Sequence, residues 1–339
     1  MRPALLRLAE VEPSLVKDYL AHQGIPAHIA DWKYFDSRFS RNLDRGFVCV
    51  NSDKVCGFLG LIPFKARKDG RTLECAWSCD WSIEASQAAA GMGIMLLKQA
   101  QDAYQGIFNV GGNENTRRIF PRLAERTVWD AGVNLVLPLR LGPSLAGVAP
   151  RFLRRTLMQG FWRNVPLKWV RSRSKDQGIR MEPGVSAEIA PLIENAAQDW
   201  CPAYDFEYVR WQLETCPAVV CWSCFLPAGR QSAVIVWRSV DSTDYWRLVV
   251  LGVRTAKSEA RLLLSRAIEF VYKQNGAALS AITSHLDREL LDLLTSHGFL
   301  CRRSRLPFYA MRGRDTSVSF DEFTVLNFLD ADQAYRFRL

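Results

Sequence analysis

No stretch of this 339-residue chain approaches the about 18 consecutive apolar residues that a membrane-crossing helix requires. The opening MRPALLRLAEVEPSLVKDYL is broken by charge every few positions, so it lacks the apolar core of a secretory leader. Histidine is scarce: His22, His28, His285 and His297 form no ligand spacing, and no Ser/His/Asp arrangement can be built from them. A metal centre is therefore not expected. Cys221-Trp222-Ser223-Cys224 has the spacing of a metal clip or redox pair, but no second pair accompanies it. It lies in an apolar strand that points the two sulfurs to opposite faces, so buried thiols are expected. Nine cysteines, odd in number and scattered, suit free thiols in a reducing cytoplasm. A hydrophobic content of 48% with 23% charged residues indicates a soluble globular protein, and the length indicates two domains.

Acidic residues are absent from one place in particular. Residues 131–175 hold nine basic side chains and no carboxylate, which accounts for the whole net charge of +9. The belt, GPSLAGVAPRFLRRTLMQGFWRNVPLKWVRSRSKDQG, opens on Gly and Pro and closes at Gly178, so it reads as a connector between two halves. Its basic residues alternate with Phe152, Leu153, Phe161, Trp162 and Trp169. A solvated connector with aromatics tucked between domains is the first reading. Peripheral contact of 151–175 with an anionic membrane is the second, and nucleic acid is the third, with no RNA-binding signature behind it.

The two halves share an order of elements. DWKYFDSRF begins at Asp31 and DFEYVRWQL at Asp205, with Asp and Tyr repeating at an offset of 174. Each is followed by three strand-like runs, a helix, a short strand and a second helix. GFVCV, VCGFLGLIPFKAR and TLECAWSCDWSI lead into the helix from Gly93 to Tyr104. AVVCWSCFLP, SAVIVWRSV and YWRLVVLGV lead into KSEARLLLSRAIEFVYKQNG. The expected architecture is α/β: two domains, each a mixed central sheet flanked by helices, over 1–142 and 178–339, with 143–177 as linker.

The stretch QAAAGMGIMLLKQA carries the chemistry. Glycines at a helix start let backbone amides approach an anion, and the helix terminus adds free N–H groups and partial positive charge. Such a turn is also a plain way to enter a helix, and Gly-x-Gly alone does not choose. The strand WSCDWSIEA, the loop SQAAAGMGI, the helix MLLKQAQDAY, the strand IFNVGG and the helix NENTRRIFPRLAE together resemble the GNAT superfamily of acyl-CoA N-acyltransferases. The resemblance covers about 1–140 well and 178–312 more weakly. It implies that the loop Gln87, Ala88, Ala89, Ala90, Gly91, Met92, Gly93 and Ile94 cradles the diphosphate of acetyl-CoA. The family's leading Arg/Gln position falls on Ala88, one residue after Gln87. It implies further that the backbones of Trp81 and Ile83 pair with the pantetheine arm, with Asn113 and Asn115 near the cofactor. The family's proton-donating Tyr, seven residues after its Asn, is replaced here by Phe120.

An amine attacks a thioester only when neutral, so a proton acceptor is wanted. Strand alternation puts Asp80, Ser82 and Glu84 on one side of the strand, opposite Trp81 and Ile83. Asp80 and Glu84 are the candidate bases; for Asp80, a structural tie to a neighbouring amide or Arg is an equal reading. Glu114 and Asn113 are both candidate caps of the following helix, and for Glu114 capping is preferred to a role as base. The C-terminal half has no second glycine in GVRTAKSEARLLL and carries Leu294 in the Tyr place, so it is read as a repeat that does not bind cofactor. The acceptor expected from the resemblance is a small-molecule or glycan amine, such as an amino sugar or cell-envelope or exopolysaccharide precursor. A Fem-like aminoacyl-tRNA-dependent transferase and a non-catalytic module of the same fold are the alternatives.

Overall fold

The computed structural model describes residues 3–36, 38–39, 43–68, 71–88, 91–140, 178–195, 202–203, 205–227, 231–253, 256–284, 287–303, 307–314 and 319–320. Residues 141–177, which hold all the cations of the basic belt except Arg140, therefore lie outside the described residues, as do Ala89 and Ala90. Among the described residues no helix is long and apolar enough to cross a membrane, and no group of His, Cys, Asp or Glu could hold a metal.

Two mixed sheets organise the chain. In the first half the strands are β1 (Ala4–Arg7), β2 (Gly46–Asn51), β3 (Lys54–Lys68), β4 (Arg71–Ile83), β5 (Gly106–Val110), β6 (Arg126–Val128) and β7 (Gly132–Pro138). The second half supplies β8 (Arg180–Pro183), β9 (Pro202–Ala203), β10 (Val219–Phe225), β11 (Ala233–Ser239), β12 (Tyr245–Leu251), β13 (Ala278–Ser284), β14 (Leu300–Arg303) and β15 (Phe308–Arg312). The first sheet runs β1-β2-β3-β4-β5-β15-β6, with the short β9 on β3. The second runs β8-β10-β11-β12-β13-β7-β14. The orders match strand for strand, except that each half lends its last strand to the other. β7 runs antiparallel to β13 from Ala278↔Pro138 to Ser284↔Gly132, and β15 runs antiparallel to β5 from Phe308↔Val110 to Arg312↔Gly106.

The helices are α1 (Pro13–His22), α2 (Ala27–Ala30), α3 (Ala85–Ala88), α4 (Met92–Ala103), α5 (Glu114–Leu123), α6 (Ala190–Asn195), α7 (Phe206–Leu213), α8 (Lys257–Lys273) and α9 (Arg288–Ser296). α4 and α8 sit on the strand triplets read from the sequence, and both bury an apolar stripe against their own sheet.

A third layer joins the halves. One apolar cluster contains Phe64, Trp77 and Phe108 from the first sheet with Cys221, Ile235 and Trp237 from the second. At its centre the repeated motifs meet. Asp31–Phe35 forms a single π-helical turn and packs on α7. Trp32 and Trp211 stack with ring centroids 4.7 Å apart, and each indole donates to the other's carbonyl, at 3.1 and 3.4 Å. The contact between the two halves is thus reciprocal at this point. Cys221 lies in this inter-sheet cluster and Cys224 in the cluster beneath α8, so their sulfurs do point to opposite faces. Burial pushes both thiols up to about 12.

Candidate functional site

Parallel β4 and β5 begin as neighbours and then separate. Their ladder covers Cys75↔Gly106, Ala76↔Ile107 and Trp77↔Phe108 and stops there among the described residues. Asn109 stands at the fork: its Nδ2 donates to the backbone oxygen of Ser78 at 3.0 Å and to Ser78 Oγ at 3.1 Å. Beyond it Gly111 and Gly112 take φ of +82° and +99° and turn the chain into α5. A Cβ on Gly112 would come within 2.5 Å of Thr116, so the turn needs glycine. The consequence is a gap in the ladder, flanked by the backbone edge of Cys79 to Ile83, which among the described residues makes no pairing with β5. An extended chain carrying amides could add there as a strand would.

A bulge shapes the β4 side of the gap. Phe58 pairs with Ser82 and Gly60 with Cys79, so Asp80 and Trp81 together oppose Leu59. Asp80 accordingly has φ of +49°. Simple alternation would put Cys79 and Trp81 on one face; instead Cys79 joins the inter-sheet core and Trp81 and Ile83 pack under α4. The bulge turns Asp80 toward the inter-sheet side. There its Oδ2 is 2.5 Å from Lys33 Nζ and accepts a hydrogen bond from Tyr34 OH at 2.5 Å. The ion pair is inside the protein, with Lys33 at 0% and Asp80 at 5% side-chain exposure. Lys33 and Tyr34 both sit on the π turn, an element enriched at functional positions. Arg45 braces that turn, donating to the carbonyls of Lys33, Asp36 and Phe39. Burial lowers the Arg45 guanidinium to about 10. Sequence reasoning missed Lys33 and Tyr34 as site residues. Their presence in the repeated DWKYF motif was a signal, but pairing across 47 positions was not readable.

The glycine turn lies beside this edge, with Gly93 against the Trp81 ring. Gly91 precedes α4 with φ of +75°, and a Cβ there would meet nothing within 4 Å. Its backbone conformation and not crowding selects glycine. A Cβ on Gly93 would stand 3.2 Å from the Trp81 ring, so Gly93 lets that indole lie against the helix start. Ile94 N and Met95 N both donate to the Gly91 carbonyl, at 3.0 and 3.2 Å. The helix-start amides with no acceptor inside the helix are then those of Met92 and Gly93. Gln87 and Ala88 close α3.

No family model matches the sequence, and no curated protein matches it. Solved structures do. Over 93% of this chain and all of its own length, a tandem GNAT protein from the clavulanic acid biosynthesis pathway superposes with a TM-score of 0.53 at 13% identity. A GCN5-related N-acetyltransferase from Anabaena variabilis ATCC 29413 covers 91% of this chain and 72% of itself, with a TM-score of 0.50 at 14% identity. Saccharomyces cerevisiae N-myristoyltransferase with bound myristoyl-CoA covers 98% and 83%, with a TM-score of 0.53 at 10% identity.

This chain has a tandem GNAT fold.

Within that GNAT fold the remaining expected residues occupy diverse places. Glu84 stands beyond the end of β4, partly exposed, 3.0 Å from Lys54 Nζ. Asn113 caps α5, its Oδ1 accepting from Thr116 N at 3.0 Å and Thr116 Oγ1 at 3.2 Å. Of the two candidate caps, Glu114 is the first residue of the helix, and the Asn113 side chain sits one position earlier, where the extended backbone of an N-cap lets it reach back. Asn115 is exposed. Phe120 is buried between Trp81 and Tyr309, at centroid distances of 5.2 and 5.4 Å.

The second GNAT-like sheet repeats the fork without the cradle. β12 and β13 pair only from Tyr245↔Ala278 to Arg247↔Ser280, and Ser280 Oγ donates to the Trp246 carbonyl. The following helix starts after Ala256 with no side-chain cap. Glu259 in its first turn accepts from Gln231 N and Ser232 N, at 3.1 and 2.9 Å. A carboxylate therefore occupies the helix start where the first half has glycine. Leu294 is wholly buried.

Proposed function

We propose that the protein is an acyl-CoA-dependent N-acyltransferase that transfers an acetyl group to an amine in a ternary complex, and that only its first GNAT-like domain binds the thioester. The observation that carries this reading is the open edge of Cys79–Ile83 leading to the glycine-capped start of α4. One gap offers backbone pairing for the pantetheine arm and amides with a helix terminus for the diphosphate. Glu259 supports the assignment to the first domain alone, because it would repel a diphosphate.

In the proposed reaction the acceptor nitrogen attacks the thioester carbon. A C–N bond forms, the C–S bond breaks, and its electron pair leaves on sulfur. The nitrogen's proton passes to Asp80, directly or through water. Lys33 Nζ and Tyr34 OH, each 2.5 Å from its Oδ2, hold that carboxylate in place. The acceptor enters from the inter-sheet side, where Asp80, Ser82 and Tyr19 lie. An amino sugar or a cell-envelope or exopolysaccharide precursor is the proposed acceptor class, and the proposed setting is the cytoplasm, with residues 151–175 resting on anionic membrane.

Calorimetric titration with acetyl-CoA tests the cradle. Asn and Asp both tolerate the left-handed backbone at position 91, so the comparison isolates charge. Gly91→Asp is expected to bind about tenfold or more weakly than Gly91→Asn. Equal affinities in two folded variants would move the diphosphate elsewhere, and no binding by the unaltered protein would end the acyl-transfer reading. A second reading, a binding module without turnover, is favoured by Phe120 in the place of a proton donor; it predicts acetyl-CoA binding without thiol release across an amine panel.

A further inference from the structure

Three polar side-chain atoms on the helix-facing side of the fork have no hydrogen-bond partner among the described residues, although all are buried: Trp81 Nε1, Asn109 Oδ1 and Tyr309 OH. A buried donor left unpaired costs stability and is seldom kept without cause. Tyr309 is the most enclosed, at 0% exposure. It belongs to β15, the strand lent by the C-terminal half, and pairs directly with Asn109. Cross-strand partners share a face of the sheet, so the Tyr309 ring stands on the same side as Trp81 and α5. It packs on Phe120, 5.4 Å between centroids, and edge-on to Trp129 at 6.2 Å.

Resting on the acyl-CoA reading above, we propose that Tyr309 supplies from the exchanged strand the hydroxyl that Phe120 lacks, and that it donates a hydrogen bond to the sulfur of the bound thioester as the C–S bond breaks. The electron pair of that bond moves onto sulfur, and the phenol stabilises the resulting thiolate. Burial raises the Tyr309 phenol above its usual 10, an effect opposed by the Arg117 cation on α5. A free thiol ionises near 8.5, so the proton stays on oxygen, and Tyr309 acts as a hydrogen-bond donor without losing it. The C-terminal half, with no cradle of its own, would thereby complete the site of the first.

The test needs no acceptor. Coenzyme A and desulfo-coenzyme A, which lacks the sulfur, are titrated calorimetrically at pH 8.5, where about half of a free thiol is ionised. The unaltered protein is expected to bind coenzyme A about tenfold more tightly than the desulfo analogue. Tyr309→Phe should abolish that preference while leaving desulfo-coenzyme A affinity unchanged. Phe120→Tyr in the Tyr309→Phe background should restore part of it. A thermal melt distinguishes a structural role: because the hydroxyl has no partner, Tyr309→Phe should melt at or above the parent temperature. A preference that survives Tyr309→Phe, or an equal loss for both ligands, overturns the proposal and leaves the acyl-CoA reading standing. Failure of the unaltered protein to bind either ligand overturns both.

Discussion

Asp80 shows how one side chain can carry two burdens. Its carboxylate neutralises a lysine with no exposed surface, yet it sits on a bulge at the edge of the proposed reaction centre. Removing one member of such a pair strands the other charge. Asp80→Ala and Lys33→Met are each expected to lower stability by about 3–5 kcal/mol, and the double variant by clearly less than their sum. Urea unfolding of the four proteins checks this, and additive losses would show that the pair is not coupled. A fall in activity on replacing Asp80 therefore requires a stability control before it is read as loss of a base. The Lys33 partnership also explains what alternation could not supply. Period two correctly separated Asp80, Ser82 and Glu84 from Trp81 and Ile83, but the cation that meets Asp80 comes from a turn 47 residues earlier.

At the scale of elements, legibility followed locality. Strands β2 to β5 and β10 to β13 were readable because their apolar runs are dense and flanked by turn residues, and α4 and α8 because their stripes recur at helical spacing. Gly132–Pro138 and Phe308–Arg312 were not distinguished as strands, since short apolar runs carry no record of which sheet they join. The fork likewise depends on the lateral bonds of Asn109, which no local pattern encodes. Asn113 as the cap of α5 was one of two candidates, and only the backbone angle decided it. Asn113→Ala should cost about 1 kcal/mol, visible as a lowered melting temperature, and Asn113→Asp should restore most of it. Retention of full stability in the Ala variant would show that the cap contributes little at this exposed position.

For the whole molecule, the shared apolar layer and the lent strands make two domains one folding unit. Residues 1–142 alone would lack β15, leaving the neighbouring edges of β5 and β6 without their central strand. That fragment is expected to stay unfolded or aggregate by circular dichroism and light scattering, and to become soluble when co-expressed with 143–339. A well-folded isolated fragment would contradict the dependence. The buried thiols add a dependence on pH. Cys49, Cys216, Cys221 and Cys224 are each held up at about 12 by burial, whereas in the unfolded chain they ionise near 8.5. The unfolded state therefore binds fewer protons above that value. Stability should be level in this respect below pH 8 and fall above pH 9, by about 1.4 kcal/mol per pH unit for each thiol still protonated in the native state. Urea unfolding under reducing conditions at pH 7, 9 and 10 measures the slope, and a flat profile would mean that these thiols are open to water.

The crossed strands have a historical consequence. A duplicated gene usually leaves one copy free to decay or be deleted, but here each copy holds a structural part of the other. The second half cannot be discarded, because the first would lose with it the strand that joins β5 to β6. Mutual dependence of this kind turns a redundant copy into a permanent component, free to change its surface but bound to keep its frame.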